Sequence, residues 1–95
     1  MNIYVTEEAA RWYKEELDIQ KTAHIRFYVR YGGFGGLVPG FSLGVSLDSP
    51  HEIHTAYETE NMTFYVEAKD AWYFEGKDLK VEVDKKLNEP VFTYI

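Results

Sequence analysis

The sequence predicts a mainly β (α+β) fold, with about seven strands and one amphipathic helix near the N-terminus. Three observations carry this. Apolar residues recur with a helical period only over residues 6–18, and with a period of two in several later runs. The aromatic fraction is 17%, with 8 Tyr and 6 Phe, side chains that suit a pleated, half-buried surface. Five of the seven glycines fall within one connection, Gly32–Gly40, so the runs themselves are little interrupted.

A short strand over Ile3–Val5 leads into the helix. Thr6 is a good N-cap, and Glu7 and Glu8 fall in the first turn, where the helix dipole favours negative charge. The capping box is incomplete, because Ala9 stands where Glu or Gln would reach back. Ala9, Ala10, Tyr13 and Leu17 share one stripe, widened by Trp12, and Glu7, Arg11, Lys14, Glu15 and Asp18 cover the other side. Beyond it, Ile25, Phe27, Val29 and Tyr31 alternate with His24, Arg26, Tyr28 and Arg30. Phe41, Leu43, Val45 and Leu47 alternate with Ser42, Gly44, Ser46 and Asp48. Further strands are expected at His54–Thr59, Thr63–Ala68, Leu79–Val83 and Val91–Tyr94. Glu60-Asn61 reads as a hairpin tip, since Asn tolerates positive φ. Asp70–Gly76 reads as a short helical turn ended by glycine. The connections are too short for helical crossovers, so most strand pairs should be antiparallel.

At 95 residues the chain is expected to be a single domain over residues 1–95, with one core. No apolar run approaches the roughly 20 residues that cross a bilayer, and no basic-then-apolar leader opens the sequence, so a cytoplasmic protein without a membrane partner is expected. There is no cysteine, which excludes disulfides, thiolate zinc sites, thiolate-ligated iron–sulfur clusters and cysteine nucleophiles. The net charge is −6 and falls mostly on the second half, which repels a phosphate backbone, so no nucleic-acid partner is expected. All three arginines lie in the first half.

Few residues are arranged for chemistry. The run Gly32-Gly33-Phe34-Gly35-Gly36 could offer amides to an anion, but its spacing matches no phosphate-loop pattern and it carries no Lys, Ser or Thr. The plainer reading is a flexible or tightly turned linker. His51 and His54 are three apart behind Pro50, which is neither the helical spacing of zincins nor a shared face of a strand, so no metal site is expected. No serine has a marked histidine partner, and paired acids such as Glu58 and Glu60 read as a solvated strand face, so no catalytic residue is assigned and the protein is not expected to be an enzyme. The aromatics include Trp12, Tyr13, Tyr28, Phe34, Phe41, Trp72, Tyr73 and Phe74, and most should be core. Phe34 differs, because among glycines little can cover it locally: it is either tucked back under its own loop or offered to a partner.

The order of these features resembles the HesB-like family, which includes the A-type iron–sulfur carriers. Ile3-Tyr4-Val5-Thr6-Glu7-Glu8-Ala9-Ala10 resembles its opening strand and Thr-capped helix, and Ile25-Arg26-Phe27-Tyr28-Val29 its first long strand. Gly32-Gly33-Phe34-Gly35-Gly36, followed by Phe41-Ser42-Leu43, resembles its Gly-Gly-Cys-Ser-Gly loop. Glu75-Gly76-Lys77-Asp78-Leu79 resembles its Leu-x-Gly-x-x-Ile-Asp turn, and Asn88-Glu89-Pro90 a late Asn-Pro. The resemblance implies a HesB-like compact mixed-sheet sandwich or open barrel with the helix against one side. It also implies a cluster site that this sequence lacks: Phe34 stands where the first cysteine ligand would be, and the family's terminal Cys-Gly-Cys would come after the last strand, where this sequence stops at Ile95. Phe cannot replace a thiolate, so no cofactor is expected.

Three functional readings follow. The first is a non-catalytic HesB-like protein acting through contacts with a protein partner, either accessory to iron–sulfur assembly or outside it, with Phe34 as the contact. The second is a small-molecule module with a pocket near Gly32–Gly40 and Arg26 or Arg30 at its rim. The third is iron binding by carboxylates with His51 or His54. The candidate binding residues are Gly32, Gly33, Phe34, Gly35, Gly36, Arg26 and Arg30. An exposed edge at Val91–Ile95 makes a homodimer a further expectation.

Overall fold

Two sheets enclose one layer of apolar side chains in a computed structural model that describes residues 1–95. The chain runs through β1 (Ile3–Val5), α1 (Glu7–Glu16), β2 (Ala23–Tyr31), β3 (Phe41–Leu47), β4 (Ile53–Thr59), β5 (Met62–Glu67), a 3-10 helix (Ala68–Phe74), β6 (Leu79–Asp84) and β7 (Glu89–Tyr94). The larger sheet has the order β3-β2-β5-β4 and the smaller β1-β6-β7. Sequential neighbours pair antiparallel, as short connections require. The two parallel pairs, β1 with β6 and β2 with β5, join strands distant in sequence, which no short connection has to bridge. β7 is an edge strand, so the segment expected to meet a second copy has one unpaired side.

The helix forms as its sequence dictates. Thr6 is extended, and its hydroxyl accepts the Ala9 N–H at 3.1 Å. Ala9, Ala10 and Tyr13 are buried, and Trp12 donates its indole N–H to the Asn88 carbonyl at 2.8 Å, tying α1 to the approach to β7. The hairpin tip falls at Glu60 and Asn61, both with positive φ. Within the core Phe27 stacks on Phe64 with centroids 5.7 Å apart, and Tyr13 and Phe92 meet Phe27 edge-on.

Two strands are covered more fully than their alternation alone conveys. The polar side of the Phe41–Leu47 run is covered at its first half: Ser42 and Gly44 are buried, because Arg30 reaches over Ser42 and the Tyr28 ring lies on Gly44. β5 is buried on both faces, like a central strand covered twice. Its outer side carries Tyr65 and Glu67 beneath a polar layer, and both Glu67 carboxylate oxygens accept backbone N–H groups, from His51 and Glu52, at 2.9 Å.

Candidate functional site

At one end of the larger sheet the chain leaves β2, turns through Gly32–Gly40 and returns as β3. The turn is closed at its neck by the Gly32 N–H donating to the Gly40 carbonyl at 2.7 Å. Its body is held as well. The Leu37 N–H donates to the Tyr73 hydroxyl at 2.7 Å, and Leu37 and Val38 pack against the core. Gly36 sits so close to the Phe41 carbonyl and the Tyr73 hydroxyl that a Cβ there would overlap both. Gly33 and Gly35 flank Phe34 with φ of +83° and +76°, a conformation other residues adopt at a cost. The loop is therefore a tight, anchored structure, and Phe34 stands at its tip with 102% of its surface accessible.

Phe34 is not the sole aromatic at this end. Tyr31 is 88% exposed and Trp72 54% exposed. Tyr31 meets Phe41 edge-on at 5.6 Å, and Phe41 meets Trp72 edge-on at 5.3 Å. Trp72 is thus one of the aromatics outside the core. Trp72, Tyr73 and Phe74 follow one another on a 3-10 turn, so they cannot all face inward, and Tyr73 and Phe74 take the interior. That run of three aromatics was the available signal for an outward ring. Tyr31 ends the apolar face of β2 where the strand runs past the core.

The two candidate arginines part company. Arg30 lies under the root of the loop, its Nε–H donating to the Ser42 hydroxyl at 3.0 Å, and Ser42 in turn abuts Gly33. Arg26 is four residues back, roughly 13 Å along the strand, and faces carboxylates of its own protein. Its Nη2 donates to Asp70 Oδ2 at 2.8 Å, and Nη1 lies 3.6 Å from Asp48 Oδ2. Burial opposes the guanidinium charge, but the Asp70 hydrogen bond and the Asp70 and Glu67 charges outweigh it and hold its pKa above the ordinary value. Burial, then Asp48 and Glu67, push the Tyr65 phenol up. This cluster is internal and fixes the outer side of the sheet, apart from the loop. Five surface cavities, the largest of about 470 Å³ beside Thr22–His24, are all lined by residues outside Gly32–Gly40. No group of three or more His, Asp or Glu side chains is arranged to hold a metal ion.

No family model matches the chain. It is 46% identical over 94 residues to a protein of Bacillus subtilis (strain 168) named pyruvate dehydrogenase inhibitor, covering 99% of each chain. The chain belongs to the family of that inhibitor. Uncharacterized proteins of Staphylococcus saprophyticus and Staphylococcus haemolyticus are 34% and 35% identical, over 94% and 86% of each chain. Among solved structures, IscA with its 2Fe–2S cluster superposes with a TM-score of 0.57 at 19% identity, covering 98% of this chain and 80% of that one. This likeness shows the expected HesB-like fold of mixed sheets with seven strands. The donor set does not fit a thiolate-held cluster. The inhibitor-family chain has no cysteine, and its glycine loop presents the phenyl ring of Phe34.

Proposed function

We propose that this chain is a regulatory protein that works by binding another protein, that pyruvate dehydrogenase is the partner, and that the Gly32–Gly40 loop with Phe34 at its tip makes the central contact. The name of the Bacillus subtilis relative supports the partner and turns the reading away from iron–sulfur assembly. The observation that carries the contact is Phe34, wholly exposed on a loop closed at its neck and pinned in its body. A rigid aromatic anchor loses little conformational entropy on docking, and such anchors dominate interface energies. Tyr31, Phe41 and Trp72, edge-on to one another at the same end of the sheet, would extend the contact, with Arg30 at the root of the loop. In this reading the 95 residues act as one domain in the cytoplasm and perform no catalytic step of their own; no helix is long and apolar enough to cross a membrane.

The test is a titration of the purified chain into a pyruvate dehydrogenase assay, with binding followed in parallel. The wild type should inhibit in a concentration-dependent manner. Phe34→Ala should weaken binding by roughly 30-fold or more, as loss of a hot-spot residue does. Absence of binding by the wild type, or equal inhibition by Phe34→Ala, defeats the reading.

A further inference from the structure

We infer that Tyr73 is the positioning residue that sets the shape of the Phe34 loop, and that Tyr94 sets Tyr73, so the last strand and the loop are linked through two phenol hydroxyls. As a statement about contact with a partner this rests on the proposed function; as a statement about the loop's shape it does not.

Between Gly33 and Pro39 one hydrogen bond reaches an element outside the loop and its flanking strands: the Leu37 N–H to the Tyr73 hydroxyl, 2.7 Å. Tyr73 itself cannot shift easily. It is fully buried, and its ring packs edge-on against Phe74 at 5.2 Å and Tyr94 at 5.9 Å. Its hydroxyl also lies where any side chain on Gly36 would have to go, 2.7 Å from a Cβ there. It therefore bounds two consecutive loop residues, one by hydrogen bond and one by volume.

The direction of the hydrogen bonds follows from what each group can do. A backbone N–H only donates, so the Tyr73 oxygen accepts from Leu37. The Tyr73 hydroxyl hydrogen then has Tyr94 Oη as its acceptor, 3.1 Å away. A buried O–H left without an acceptor is costly, so the run Leu37 N–H to Tyr73 O–H to Tyr94 Oη is the arrangement that satisfies both the Leu37 amide and the buried Tyr73 hydroxyl. Tyr94 stands near the end of β7, paired with Leu79 of β6, and so ties the loop to the smaller sheet. Burial holds the Tyr94 phenol above its ordinary pKa, which keeps it neutral.

Amide hydrogen exchange by NMR tests this on the free protein. In Tyr73→Phe the Leu37 amide should exchange about tenfold faster, the loss of one hydrogen bond, while the Phe27 amide in the centre of β2 keeps its rate. In Tyr94→Phe the Leu37 bond survives and only its support is lost, so a rise of about two- to threefold is expected. An unchanged Leu37 rate in Tyr73→Phe, acceleration of Leu37 and Phe27 by the same factor, or a silent Tyr94→Phe overturns the inference. The pyruvate dehydrogenase assay is the second arm: Tyr73→Phe, with Phe34 intact, should inhibit several-fold more weakly. If Phe34→Ala has no effect on inhibition while the exchange results hold, the proposed contact fails and the hydroxyl link stands.

Discussion

Phe27 and Phe34 are the same side chain on one strand and the loop that leaves it, with opposite fates. Phe27 is fully buried and meets Phe64, Tyr13 and Phe92. Phe34 stands in solvent, held out by backbone that is itself well anchored. Burying a ring of this size contributes roughly 1.5–3 kcal/mol, and Phe34 forgoes that contribution. A single exposed ring is ordinary on a protein surface; Phe34 shares its end of the molecule with outward Tyr31 and Trp72, the group on which the proposed contact rests. The molecule thus divides its aromatics between a set that holds the sheets together and a set whose worth to the folded chain is small.

Phe27→Ala should show the largest effect of breaking the first set. Removing the ring leaves a cavity between the sheets and should cost about 3–5 kcal/mol in urea unfolding. A loss below about 1 kcal/mol would mean that the two sets are not energetically distinct. Next comes the polar layer on the outer side of the larger sheet. Arg26→Met leaves Asp70, whose side chain is only 9% exposed, without its cation. Breaking such a pair costs about 3–5 kcal/mol when fully buried, and the partly exposed Asp48 lowers the expectation here to about 2–4 kcal/mol. Arg26→Met with Asp70→Asn should recover a good part of this, because the orphaned charge is removed with its partner. A double variant as unstable as the single one would show that packing of the long arginine stem, and not charge, is what matters.

What the sequence disclosed and what it withheld follow from the range of each interaction. Thr6 and the Ala9–Ala10–Tyr13 stripe are contained within one helix, so the helix was legible to within a residue or two. The period-two runs placed the strands, and Glu60-Asn61 gave the hairpin. The glycine run marked the loop on which the proposed contact rests, and the isolation of Phe34 within it was readable as exposure or as a tuck beneath the loop. What decided between these was a contact 36 residues away, Leu37 with Tyr73. The same holds for Arg26, whose partner Asp70 is 44 residues distant. Local alternation marks which side of a strand is apolar, but it carries nothing about whether the polar side is later covered, as Ser42 and Gly44 are. Nor does hydrophobicity single out which aromatics stay outside: three successive rings on one tight turn leave room inside for two, and Trp72 is the one left out.

The smallest expected effect sharpens the comparison most. Phe34→Ala should leave the urea midpoint nearly where it was, a change under about 0.5 kcal/mol, the range of surface substitutions that touch no special feature. For a domain of this size that is about 2–4 °C in Tm at most. Alanine keeps the loop's backbone, since the neck bond Gly32–Gly40 and the Leu37–Tyr73 bond are both made by other residues. The substitution also removes an apolar ring from water in the folded state, which costs the fold nothing. A loss above about 1 kcal/mol would mean that the ring folds back onto Tyr31 or Phe41 in solution. Phe34 would then belong with Phe27, among the aromatics that hold the protein together, and its claim to a partner would have to pass to Trp72.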